Sequence, residues 1–160
     1  GFGRSLDHAG IDVKAKDCVV LGSGGAARAI IQYLSDAGAK AITVVSRHPH
    51  SKTEFDAFIQ RIGADTIDYQ DLEHSQGSDV LVNCTPVGMF PDVNGCPVSE
   101  RLIAAFPAVV DIVYNPKKYT AFAGSPPSWR QDPKRYVHAR RSGHWLRRNL
   151  DGPDHRFVCD

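Results

Sequence analysis

Between Cys18 and Ala29 the chain passes from an apolar run into a helical pattern with only glycine and serine in between. Cys18-Val19-Val20-Leu21 has the composition of a short strand covered on both faces. Gly22-Ser23-Gly24-Gly25 breaks it. Ala26, Ala27, Ala29, Ile30, Ile31 and Leu34 then recur at helical spacing, with Arg28, Gln32 and Asp36 between them. Strand, glycine turn and helix in direct succession form the context in which such a motif carries meaning. Gly22 permits a sharp exit from the strand, and Gly24 lets a pyrophosphate approach the backbone. Ala27 takes the third motif position, where a small residue lets helix and strand pack closely. The N–H groups at the helix start, with the positive end of its dipole, suit phosphates. The stretch Gly22, Ser23, Gly24, Gly25, Ala26 and Ala27 is therefore a candidate phosphate cradle. A tight turn that holds no ligand is the alternative.

The helix is expected to run to about Ala37 and to stop at Gly38. Ala41-Ile42-Thr43-Val44-Val45 predicts a second buried strand, ending at Ser46-Arg47-His48-Pro49-His50. In a dinucleotide-binding unit this strand end meets the adenine ribose. An acidic residue there would accept from the 2′-hydroxyl and favour NAD. The chain has Ser46 and Arg47 instead, with Lys52 close behind. A guanidinium offers a planar donor fork to a 2′-phosphate, so the charge logic favours NADP. A solvated basic turn is the competing account.

Ser51 and Glu54 have the spacing of a capping box for the next helix, with Phe55, Phe58, Ile59 and Ile62 inward and Gly63 closing it. Thr66 to Tyr69 predicts a short third strand, and Val80 to Cys84 a fourth. The loop Thr85-Pro86-Val87-Gly88-Met89 follows at the carboxyl end of that strand, the edge at which open parallel sheets bind ligands. Ser99 to Phe106 predicts a short helix, and Ala108 to Tyr114 a fifth strand. At the start, Phe2, Leu6 and Ala9 share one face of a short helix ended by Gly10. Alternating strands and helices imply an α/β fold, a doubly wound parallel sheet with helices on both faces.

A chain of 160 residues suffices for one domain with a real core. A net charge of +1 makes no global case for nucleic acid or a membrane surface. No apolar run approaches a membrane span and the first residues do not read as a secretory signal, so a cytoplasmic setting is expected. Cys18, Cys84, Cys96 and Cys159 lack CxxC spacing, so neither a metal site nor a disulfide framework is expected. The opening Gly1-Phe2-Gly3-Arg4 reads as internal sequence, which suggests a piece of a longer protein. From about Gly124 the apolar periodicity fades into arginine, proline and scattered aromatics. Basic residues with aromatics are one mark of nucleic-acid contact. A disordered or non-native tail is the simpler expectation, since no periodic apolar face supports it.

Four segments together resemble the NADP-binding, Rossmann-like domain of the shikimate and quinate dehydrogenase family, over about residues 1–122. These are Gly22-Ser23-Gly24-Gly25-Ala26-Ala27, Ser46-Arg47, Asn83-Cys84-Thr85-Pro86-Val87-Gly88-Met89, and Asp111-Ile112-Val113-Tyr114-Asn115-Pro116. The resemblance implies that backbone from Gly22 to Ala27 cradles the pyrophosphate. It implies that Ser46 and Arg47, with Ser51 and Lys52, hold the 2′-phosphate of NADP. Thr85, Pro86 and Val87 flank the cofactor, Ile112 offers backbone near the nicotinamide, and Tyr114 faces the substrate. The implied reaction is reversible hydride transfer between NADP(H) and 3-dehydroshikimate, on the route to aromatic amino acids.

The family's catalytic Lys and Asp lie in a preceding substrate domain, and neither is present here. No catalytic residue is therefore expected in this chain, which is expected to be inactive or nearly so alone. The substrate would be held together with that missing domain. The family's continuation after Tyr119 is also absent from residues 123–160, as a shifted reading frame would leave it. A non-catalytic dinucleotide-binding or regulatory module is the alternative. A domain like that of glutamyl-tRNA reductase is a further one, disfavoured by the Thr-Pro-Val-Gly-Met and Val-Tyr-Asn-Pro segments.

Overall fold

The computed structural model describes residues 1–51, 53–74, 78–87 and 96–112, together with three short strands beyond them. In chain order the elements are α1 (Phe2–Ala9), β1 (Asp17–Leu21), α2 (Gly25–Asp36), β2 (Ala41–Val45), α3 (Thr53–Ile62) and β3 (Asp65–Ile67). There follow α4 (Tyr69–His74), β4 (Val80–Asn83), α5 (Glu100–Ala105), β5 (Ala108–Asp111), β6 (Tyr136–His138), β7 (Leu146–Arg148) and β8 (Phe157–Cys159).

Strands β1 to β6 form one parallel sheet in the order β3-β2-β1-β4-β5-β6. β7 and β8 pair antiparallel with each other. The chain winds outward from β1 to β3, crosses back, and winds outward again from β4, which is the doubly wound arrangement. Alternation along each strand sorts the apolar residues into two cores. Cys18, Val20, Ile42, Val44, Val80, Val82 and Val110 pack with α1, α2 and α3 on one face. Val19, Leu21, Val45, Leu81 and Val109 pack with α4 and α5 on the other. Both faces are covered, so the strands are continuously apolar.

Several predicted boundaries are met. Gly10, Gly38 and Gly63 carry positive φ angles of 68°, 80° and 74° after α1, α2 and α3. Ser99 caps α5, its hydroxyl accepting the Leu102 N–H at 3.2 Å. Leu102, Ile103 and Phe106 are buried, as the helical spacing requires.

Three expectations need correction. Tyr69 does not extend the third strand; it opens α4. Asp68 decides this: its carboxylate accepts the Asp71 N–H at 2.8 Å and its carbonyl the Leu72 N–H at 3.2 Å, an N-cap. The fourth and fifth strands are shorter than predicted, ending at Asn83 and Asp111, where a side-chain bond between the two adds to the last backbone bonds and the chain turns away. In the region after Gly124, where no element was expected, β6, β7 and β8 are each three residues long, too short to show a period in sequence.

Candidate functional site

Strand register brings the carboxyl ends into one row. Ile67 pairs with Val45, Val45 with Leu21, Leu21 with Asn83, and Asn83 with Asp111. The segments after β1, β2, β4 and β5 therefore leave the sheet from a common edge. Between β1 and β4 the winding reverses, and α2 and α5 lie on opposite faces. This opens a crevice at the edge.

Gly22 stands at that crevice with φ +106°. Its N–H donates to the Val45 carbonyl at 2.8 Å, and the Cys84 N–H donates to the Leu21 carbonyl at 2.9 Å. A Cβ at Gly22 would lie 3.3 Å from the Cys84 carbonyl oxygen and 3.3 Å from Thr85 Cγ2. Any larger residue would push the glycine turn away from the segment after β4. Gly24 is the N-cap of α2, and no side chain caps that end. The first helical bond runs from the Arg28 N–H to the Gly24 carbonyl at 3.0 Å, leaving the earlier amides outside the helical ladder. Gly24, Gly25 and Ala26 are exposed, while Ala27 is fully buried against the sheet. A cleft of about 500 Å³ lies in front of them, walled by Arg28 and by the first turn of α3. Arg28 sits over the Phe58 ring at 4.8 Å, which ties α2 to α3.

After β2 the chain folds back on itself. Ser46 is buried, and its N–H donates to the Ile67 carbonyl at 3.0 Å. Its hydroxyl lies 3.4 Å from that of Ser23 and accepts the His48 N–H at 3.3 Å. Ser51 Oγ donates to the His48 carbonyl at 2.8 Å. These residues enclose a recess of about 10 Å³ with His50 and Thr66 on its wall. Arg47 is exposed and is not part of that wall; it lies beside Tyr69, whose hydroxyl is pushed up by burial and pulled down less by the guanidinium. Among the described residues Arg47 has no carboxylate partner. Lys52 lies outside the described residues.

The β4 end is built differently. The Asn83 amide, only 3% exposed, donates to Asp111 Oδ1 and to the Val87 carbonyl, both at 3.3 Å. Its Oδ1 accepts the Thr85 N–H at 3.0 Å and the Thr85 hydroxyl at 2.7 Å. Thr85 Oγ1 in turn accepts the Val87 N–H at 3.3 Å. Thr85, Pro86 and Val87 are thus wound around one buried amide. Asp111 is 1% exposed, and burial followed by its carboxylate raises the Cys84 thiol. The Ile112 N–H donates to the Asn83 carbonyl at 3.2 Å, which places Ile112 beside this turn. Tyr114 lies outside the described residues.

The edge thus gathers the glycine turn, Ser46, Ser51, Thr85, Pro86, Val87 and Ile112. Sequence reasoning gave no site role to Asn83, Asp111, His48 or His50. The signal for the first two was a polar residue closing an apolar strand. Among the described residues no group of three His, Cys, Asp or Glu side chains converges as for a metal, and no helix is long and apolar enough to cross a membrane.

A family model described as "NADP oxidoreductase coenzyme F420-dependent" matches residues 17–113. Shikimate dehydrogenase (NADP(+)) of Clostridium perfringens is 40% identical over 116 residues, which is 72% of this chain and 42% of that protein. The chorismate mutase/shikimate 5-dehydrogenase fusion protein of Clostridium acetobutylicum is 38% identical with a TM-score of 0.69, covering 86% of this chain and 47% of that one. Shikimate 5-dehydrogenase of Listeria monocytogenes, solved with shikimate and NAD, is 25% identical with a TM-score of 0.68, covering 86% and 50%. The chain spans less than half the length of the curated relatives it matches. It belongs to the NADP oxidoreductase family whose model it matches, and it corresponds to the nucleotide-binding part of shikimate dehydrogenases.

Proposed function

We propose that this chain binds NADP and is the cofactor half of a shikimate dehydrogenase. The observation that carries the reading is the uncapped start of α2, with open space before Gly24 and Gly25, held against the segment after β4 by Gly22. An added Cβ at Gly24 or Gly25 would meet no atom within 4 Å, the room a pyrophosphate needs. The amides of Gly25 to Ala27 then take the phosphates. Ser46, Ser51, Arg47 and Lys52 take the 2′-phosphate, with Arg47 free of any described carboxylate partner that would compete. Thr85, Pro86, Val87 and Ile112 orient the nicotinamide end, and Tyr114 faces the substrate. When bound, the cofactor supplies the hydride that interconverts 3-dehydroshikimate and shikimate. Residues 1–122 form the nucleotide domain on this reading, with β6 of the basic stretch 123–160 adding a strand at the edge of its sheet.

Calorimetric titration with NADP and with NAD tests the assignment. NADP is expected to bind more tightly, and Arg47→Ala to weaken NADP about ten-fold while leaving NAD unchanged. Equal affinity for the two dinucleotides sinks the NADP reading. With shikimate and NADP the isolated chain is expected to show no measurable NADPH formation, since the proton-transferring residues of the family lie in the other domain. Turnover by the chain alone would refute that division of labour.

A further inference from the structure

The β4 and β5 ends of the carboxyl edge hold a charge as well as a scaffold. Asp111 ends β5 beside Asn83 in register; it is 1% exposed, and its Oδ1 accepts the Asn83 amide at 3.3 Å. The same amide donates to the Val87 carbonyl at 3.3 Å, and the Asn83 backbone carbonyl accepts the Ile112 N–H at 3.2 Å. One residue thus links the carboxylate to both segments that line this end of the crevice. The carboxylate is buried, so water screens it little. Its field reaches the first residue after β4: the Cys84 thiol is raised by burial and then by the Asp111 charge. The Cys84 carbonyl oxygen is in turn the atom that a Cβ at Gly22 would approach to 3.3 Å. A negative charge is therefore fixed at the edge, between the turn after β4 and the end of β5.

The two redox forms of the cofactor differ in charge at one end only. Hydride addition brings two electrons and one proton to the nicotinamide ring and cancels its positive charge, while adenosine, the second ribose and the phosphates are unchanged. We propose that Asp111 is a specificity-determining residue for the redox state of the cofactor: its buried carboxylate draws the cationic nicotinamide of NADP+ to this end of the edge and favours it over the neutral ring of NADPH. This rests on the reading of the edge as an NADP site with Thr85, Val87 and Ile112 at the nicotinamide end. Arg28 and Arg47 belong to the other half, one at the cleft before the glycine turn and one after β2. On the same reading they meet parts of the cofactor common to both forms, so they do not discriminate. Two unit charges about 10 Å apart, in a medium between protein and water, interact strongly enough for a preference of about five-fold. Asn83 adds no charge of its own and fixes where the carboxylate sits.

The test is titration of the full chain and of an Asp111→Asn variant with NADP+, with NADPH and with 2′-phospho-ADP-ribose, which lacks the nicotinamide. Asparagine keeps the shape, and its side-chain oxygen still accepts the Asn83 amide, so the variant removes the charge and leaves the turn in place. The variant is expected to lose about five-fold in NADP+ affinity relative to NADPH, with 2′-phospho-ADP-ribose unchanged. An unchanged or raised ratio of NADP+ to NADPH affinity would overturn the proposal while leaving the NADP site intact. An equal loss for all three ligands would do the same and would assign Asp111 a purely structural role. Failure of the parent to bind any of the three overturns the NADP reading itself, and this proposal with it. Asp111→Ser covers the case in which a second amide does not fit. It removes the charge with a smaller group, and the same fall in the ratio is expected from it. A ratio equal to the parent's in that variant also overturns the proposal.

Discussion

The two halves of the carboxyl edge treat polarity in opposite ways. At the β1 end, backbone amides face open space: Gly24, Gly25 and Ala26 are exposed, and no side chain caps α2. At the β4 and β5 ends, Asn83 and Asp111 are 3% and 1% exposed and bond to each other and to the following turn. The first half keeps the N–H groups at the start of α2 outside the helical ladder, at a solvent-facing surface where that costs little. The second has spent its capacity internally, because buried polar groups without partners are costly. An edge built this way joins a receptive half to a rigid one, with Gly22 as the point of contact.

The largest expected effect breaks the closed half. Asn83→Ala removes a donor to a buried carboxylate and the acceptor for two Thr85 groups, and should cost about 3 kcal/mol in urea unfolding. A loss below about 1 kcal/mol would show that the network is not internally satisfied in the way its geometry implies. Gly22→Ala attacks the contact between the halves. Its φ of +106° and the 3.3 Å approach to Cys84 predict a cost of about 2 kcal/mol, together with loss of dinucleotide binding. Unchanged stability would mean that the two ends part without penalty.

The smallest effect sharpens the contrast through pH. Burial, and then Asp111, hold the Cys84 thiol above the ordinary value of 9.0. The folded chain therefore keeps a proton that the unfolded chain releases, so stability is full below about pH 9 and falls as pH rises. The expected slope is about 1.4 kcal/mol per pH unit for each such thiol. Cys18 acts in the same direction, its thiol pushed up to about 12 by burial and then by Asp79 and Asp17. Cys84→Ala should therefore remove about half of the alkaline slope, measured as unfolding free energy against pH. An unaltered slope would place Cys84 in a more open setting than its neighbours suggest.

Local pattern made much of the fold legible. The apolar runs at β1, β2 and β4 are continuous because both faces are covered, and α2, α3 and α5 show their buried sides at helical spacing. The glycine turn was recognisable because strand and helix adjoin it. The helix α4 was missed because it buries only Leu72, so no apolar spacing marks it, although Asp68 in the N-cap position was a usable sign. The strands after Gly124 escaped because three residues are too few to display a period.

By itself, then, the sequence determined which residues face inward, where most elements start and stop, and that the sheet is parallel and doubly wound. These follow from periods of two and 3.6 residues and from local turn chemistry. Tertiary structure alone decided which strand ends meet. Asn83 and Asp111 are 28 residues apart, Ser23 and Ser46 are 23 apart, and Gly22 touches Cys84 only because β1 and β4 are neighbours in register. Such contacts depend on strand order and on two helical layers packing against opposite faces, which no local period encodes.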